Sequence, residues 1–182
     1  MLRKNVLFIA YGNPLRRDDG AGLELARRVQ FAIRAQSGHP PQFAIRLLEL
    51  QQLVPELVNE IIDPSVALIV FFDCRAQAAG DKGQTAECEI QICHLPLATC
   101  HLLPASFTHQ TSPQTLLAMA SALYGTVPLA WLVTIPGDDF GMGEGFSPAV
   151  SHLLEDAPET ARMILETLRF NAEQVDSGSV AQ

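Results

Sequence analysis

Ser65-Val-Ala-Leu-Ile-Val-Phe-Phe72 is the stretch that most constrains the fold of this chain. It is apolar at every position after its first, so a strand built from it must hide both faces. Strands buried on both faces belong to parallel sheets covered by helices, whereas antiparallel sheets commonly leave one face to water. The run leads straight into an acid, Asp73. A second apolar run, Val6 to Tyr11, is stopped by Gly12, Asn13 and Pro14 and followed by a pair of acids, Asp18 and Asp19. A buried strand, a polar loop and then a helix is the usual opening of an α/β domain, whose ligand sites lie beyond the carboxyl ends of the strands. Asp18, Asp19 and Asp73 all fall in such positions.

The rest of the chain alternates in the same way. Leu25, Ala26, Val29, Ala32 and Ile33 recur at helical spacing and predict a helix from Gly20 to about Gln36, ended by Ser37-Gly-His-Pro-Pro41. Phe43 to Leu48 reads as a strand near the sheet edge, and Val54, Leu57, Val58, Ile61 and Ile62 as a second amphipathic helix with Pro55 in its first turn. Glu87 to His94 alternates as a half-exposed strand does. Ser112 and Pro113 mark a helix start, Leu116, Leu117, Ala120 and Leu123 its buried stripe, and Gly125 its end. Ala130 to Ile135 is the last strand, and a loop rich in glycine from Pro136 to Pro148 follows, carrying Asp138, Asp139 and Glu144. A helix then starts near Val150 and is interrupted at Pro158, and Asp156 and Glu159 have the spacing of a capping box for another. The expected architecture is a three-layer α/β fold, a twisted and mostly parallel sheet flanked by helices on both faces. One domain over residues 1–170 and a frayed polar tail over 171–182 are expected.

Charge and composition narrow the function. The formal net charge of -8 argues against non-specific binding to nucleic acid or to a membrane surface, both of which need basic patches. No apolar run approaches the ~18 residues that span a bilayer, and the start of the chain does not read as a secretory signal. A cytoplasmic monomer is expected. Cys74, Cys88, Cys93 and Cys100 form no C-x-x-C pair and read as reduced packing residues. Gly12, Gly20 and Gly22 do not make the G-x-G-x-x-G fingerprint, so a nucleotide site using that loop, with Glu49 as the ribose acid, is the weaker reading.

Asp19, Asp73 and His109 are the candidate chemical groups. One acid at 18 or 19 serves readily as a helix cap, which leaves the other for a ligand or metal. Asp73 ends the central strand. His109 lies in the loop three residues ahead of Ser112, where an imidazole is placed to bind a metal or move a proton; a capping role is the plain alternative. His39 reads as a solvated loop histidine, and His94 and His101 lack an acidic or histidine partner at ligand spacing. Two carboxylates and an imidazole suit a divalent first-row metal and leave positions open for a substrate.

These motifs resemble one family. Gly12-Asn13 with Asp18-Asp19-Gly20-x-Gly22, the strand ending in Asp73, His109-Gln110-x-Ser112-Pro113-x-x-Leu116-Leu117, and Gly143-Glu144-Gly145-Phe146-Ser147-Pro148 are similar, in order and spacing, to the hydrogenase maturation proteases. The resemblance covers Val6 to about Leu168. It implies an endopeptidase that removes a C-terminal extension from the large-subunit precursor of a nickel–iron hydrogenase. It places the family's metal-contacting acids on Asp19 and Asp73 and its histidine on His109. The nickel in question is the one already seated in the precursor rather than one held permanently by the protease. A non-catalytic nickel-dependent binding protein or chaperone for the same subunit is the alternative, since it would need the same ligands.

Overall fold

The computed structural model describes residues 4–36, 43–76, 89–96 and 111–178. Five strands form one sheet in the order β2-β1-β3-β5-β4. They are β1 (Lys4–Tyr11), β2 (Phe43–Leu50), β3 (Val66–Ala76), β4 (Gln91–His94) and β5 (Leu129–Gly137). β1, β2, β3 and β5 run parallel, and β4 is antiparallel to β5 at one edge. β3 holds the centre, where a strand apolar on both faces belongs. β2 takes the other edge, and its alternation of exposed and half-buried residues suits a strand paired on one side only.

Helices cover both faces. α1 (Ala21–Gln36), α4 (Pro148–Leu153) and α5 (Ala157–Gly178) bury their apolar stripes with Val6, Phe8, Ala10, Leu68, Val70 and Phe72. α2 (Val58–Ile61) and α3 (Pro113–Tyr124) cover the opposite face with Leu7, Ile9, Ile69 and Phe71. The strict alternation along β1 and β3 divides these two cores. Within the first, the rings of Phe8 and Phe72 sit 4.9 Å apart across neighbouring strands.

Several expectations are adjusted. The helix expected from Gly20 opens instead with a tight turn over Arg17–Gly20, and α1 proper starts at Ala21. The helix expected around Val54–Ile62 is divided into a tight turn at Pro55–Leu57 and a single α turn at Val58–Ile61, and Pro64, which disfavours helical backbone at Asp63, keeps it from running further. β3 does not stop before Asp73. It continues to Ala76 because β5 runs beside it, pairing Asp73 with Thr134 and Ala76 with Gly137. Among the described residues of the expected fourth strand, Gln91–His94 is extended and Glu89 and Ile90 are not; Glu87 and Cys88 lie outside the described residues. α4 passes through a tight turn at Leu154–Asp156 into α5, with Pro158 in the first turn, where its missing N–H is no loss. The polar tail expected to fray after Asn171 stays helical to Gly178. The start of α3 follows the sequence signal: Ser112 Oγ accepts from Thr115 N at 3.1 Å, and Gly125 closes the helix at φ 81°. Among the described residues no helix is long and apolar enough to cross a membrane.

Candidate functional site

The connection from β1 through α1 to β2 covers one face of the sheet, and the return through α2 to β3 covers the other. The winding therefore reverses between β1 and β3, and ligands of open α/β sheets bind at such a reversal, beyond the carboxyl ends of the strands. Tyr11 is the last residue of β1, and the pairing of β1 with β3 ends at Ala10 and Phe72. Asp73 thus stands where β1 has already turned away. Although it lies within β3, it opens into the crevice left by its departing neighbour.

Gly12 makes that departure. Its φ is 143°, and a Cβ there would lie 2.0 Å from the carbonyl oxygen of Asp19. The loop folds back so closely that only glycine fits. Asp19 Oδ2 accepts from Asn13 N at 3.0 Å, which closes the loop on itself. Gly22, in the first turn of α1, lies against the backbone of Asp73; a Cβ there would lie 3.0 Å from Asp73 N and Cα. This contact brings the start of α1, with Asp19 just ahead of it, down onto Asp73. The two carboxylates are near enough for the charge of Asp19 to act on Asp73.

Asp73 is half-buried. Its pKa is raised, chiefly by burial; hydrogen bonds from the Tyr11 hydroxyl and the Cys74 amide oppose that, and the charge of Asp19 adds to it. Tyr11 Oη donates to Asp73 Oδ2 at 2.8 Å. Burial, then the Asp73 charge and this hydrogen bond, push the phenol well above its usual range, so Tyr11 remains the donor. The accepting bond on Asp19 and the two on Asp73 occupy only part of the acceptor capacity of two carboxylates, which have about four lone-pair sites each. The pleat sets Asp73 on the same face as Ile69 and Phe71, the face that α3 covers.

Asp18 does something different from its neighbour. It is fully buried, and its oxygens accept backbone N–H bonds from Asp138 at 2.9 Å, Asp139 at 2.8 Å and Ser147 at 2.7 Å. Burial raises its pKa, but these bonds outweigh burial and leave the pKa lowered. It is not a cap for the turn in which it sits; it fastens the loop after β5 onto the loop after β1. The same junction carries bonds from Arg17 N to Gly143 O, from Gly143 N to Leu15 O and from Asp18 N to Asp139 O. Arg17, at φ 49°, pairs with Asp139 at 2.7 Å on the surface. Asp139 is therefore part of the junction, whereas Glu144 is exposed.

Of the three groups singled out in the sequence, Asp19 and Asp73 converge, and His109 lies outside the described residues, as do His39, His101 and Cys100. Among the described residues no three His, Cys, Asp or Glu side chains gather as a metal site. Tyr11 was legible only as the end of an apolar run; the signal for it was register, because it ends β1 as Asp73 ends the apolar part of the adjacent strand. Glu49, the candidate ribose acid, is held by Arg27 through bonds of 2.6 and 3.0 Å. Cys74 is buried beside the acids, and burial followed by the charges of Asp18, Asp73 and Asp19 pushes its thiol up to about 12, which removes it as a nucleophile. Cys93 departs from the expectation of packing: it lies on edge strand β4 and is exposed.

No protein-family model matches the sequence, and no curated protein matches it. Solved structures do. The hydrogenase maturating endopeptidase HybD from E. coli is 20% identical and superposes with a TM-score of 0.57, covering 92% of this chain and 93% of its own. The NiFe hydrogenase maturation protease HybD from Thermococcus kodakarensis is 23% identical at a TM-score of 0.56, covering 88% and 98%. The maturation protease HycI from Thermococcus kodakarensis KOD1 is also 23% identical at 0.56, covering 91% and 93%. Over almost its whole length this chain has the fold of the hydrogenase maturation proteases.

Proposed function

We propose that this chain is an endopeptidase that removes the C-terminal extension from a nickel-loaded large-subunit precursor of a nickel–iron hydrogenase. The observation that carries the reading is the convergence of Asp19 and Asp73 at the winding reversal, in a fold shared over most of the chain with proteases of that name. Asp19 and Asp73 contact the nickel carried by the substrate, and His109, four residues ahead of α3, supplies the imidazole. The face of the sheet supports the assignment of His109, since Asp73 points to the side that α3 covers. Oxygen and imidazole donors suit a divalent first-row metal. Gripping it aligns the neighbouring peptide, and alignment alone can supply several kcal/mol of a hydrolytic barrier, by the order of magnitude of measured effective molarities. Water is the attacking group, activated by a carboxylate or by the substrate's metal as a Lewis acid. No protein nucleophile is required, and the one thiol beside the described acids is held neutral. The protein acts in the cytoplasm as a monomer.

The reading is tested by intact-mass spectrometry of a nickel-loaded precursor incubated with the protein, beside a nickel-free precursor. Loss of a C-terminal peptide from the loaded sample alone is expected. An unchanged mass with the two proteins still associated would replace the protease with a nickel-dependent binding protein. No cleavage and no association with any hydrogenase precursor of the host would overturn the assignment.

A further inference from the structure

The torsion that sets the plane of an aspartate carboxylate is broad and soft, so nothing covalent tells Asp73 which oxygen to offer. Tyr11 stands on much firmer ground. Its backbone is the last rung of β1, paired with Leu50 of β2, and its ring packs with the core that contains Ile9, Phe71 and Leu116. Its hydroxyl reaches across to Asp73 Oδ2 at 2.8 Å. That bond ties the end of β1 to β3 just past the point where their pairing stops, and it commits one oxygen of Asp73 to the protein itself.

We propose that Tyr11 is a positioning residue for Asp73: its hydroxyl fixes the plane of that carboxylate and leaves the other oxygen to the nickel of the substrate. The inference rests on the proposed role of Asp73 and adds to it a residue outside the acid–acid–histidine set. A phenylalanine would fill the same space in the core and remove only the donor. The carboxylate would then be held by the Cys74 amide alone, and its contact with the substrate's metal would be shared among more orientations. Groups that orient metal-contacting side chains are typically worth about 10–100-fold in affinity or activity.

The test compares Tyr11→Phe, Asp73→Asn and the wild type in two assays. One is the steady-state kinetics of processing of the nickel-loaded precursor. The other is the affinity for loaded and nickel-free precursor, measured by biolayer interferometry. Tyr11→Phe is expected to keep its melting temperature within a few degrees, to lose about 10–100-fold in kcat/KM, mostly through KM, and to bind loaded precursor more weakly while binding nickel-free precursor as before. A side chain that merely fills space would not distinguish the two precursors. If kcat/KM of Tyr11→Phe stays within about twofold of wild type while Asp73→Asn is inactive, the positioning role is wrong and the site stands. A loss of affinity shared equally by both precursors would likewise overturn it. If Asp73→Asn itself processes normally, the reading of the site fails, and the role of Tyr11 with it.

Discussion

Replacing Asp18 with alanine should damage the protein more than any change at the adjacent Asp19. Asp18 is fully buried and accepts three backbone N–H bonds from a loop about 120 residues away in sequence. Alanine leaves all three donors without their acceptor. A buried donor deprived of its partner costs about 1–3 kcal/mol, so three set an upper limit near 9 kcal/mol. The loop that carries them is half-exposed, however, and water can reach it once the junction loosens. A net loss of about 3 kcal/mol is therefore expected, which for a chain of this size lowers the melting temperature by about 6–12 °C. Asp18→Asn should be less harmful than alanine, because its oxygen can still accept from Asp138 and Asp139 while its NH2 group faces only the Ser147 donor. The pH dependence provides a second check. The folded pKa of Asp18 is depressed, so its stabilisation is fully present above the unfolded carboxyl value of about 3.9 and is lost as pH falls through the folded value. Melting curves of wild type and Asp18→Ala should lie furthest apart near neutral pH and approach one another in acid. A melting temperature within 2 °C of wild type at pH 7, or a gap that does not close in acid, would refute the account of Asp18 as the fastening of the two loops.

Two further outcomes follow from the same chemistry. Asp73 has a raised folded pKa, so ionising it costs stability as pH rises from the unfolded value of about 3.9 through the folded one. Asp73→Asn should therefore melt higher than wild type at pH 7, with the advantage vanishing below about pH 4, while processing is lost; an advantage that does not grow with pH would contradict this. Iodoacetamide at pH 8, followed by peptide mapping, should label Cys93 readily and leave Cys74 unmodified until the protein is unfolded, since the Cys74 thiol is buried and pushed up to about 12. Rapid native-state labelling of Cys74 would show that the floor of the site opens to solvent.

The sheet was legible because its signals are local. A strand apolar on both faces, and helices whose apolar residues recur every three or four positions, state their surroundings outright, and Ser112, Pro113 and Gly125 delimit α3 as their chemistry predicts. Asp19 and Asp73 were legible from their positions after strands. What escaped was set by partners distant in the chain. β3 outruns Phe72 because β5 is there to pair with it, which no pattern within β3 reveals. Asp18 and Asp19 look equivalent in sequence, yet one is buried under a loop contributed by residues 138–147 and the other stays near the crevice. The division of labour depends on which way a single tight turn faces. Tyr11 was read as the apolar end of a strand, and its hydroxyl acquired a purpose only when the register placed it beside Asp73.

The fastening of the two loops also has a consequence for when the crevice takes its final form. During synthesis the chain emerges from its N-terminus, so Asp19 and Asp73 are available early, before β5 exists. The turn that carries Asp19 is nonetheless docked through Asp18, whose partners Asp138, Asp139 and finally Ser147 leave the ribosome much later. A nascent chain would carry Asp18 and Asp19 in a turn not yet fastened to the loop after β5. Docking of the two loops therefore waits for translation of the whole sheet and of the turn that leads into α4.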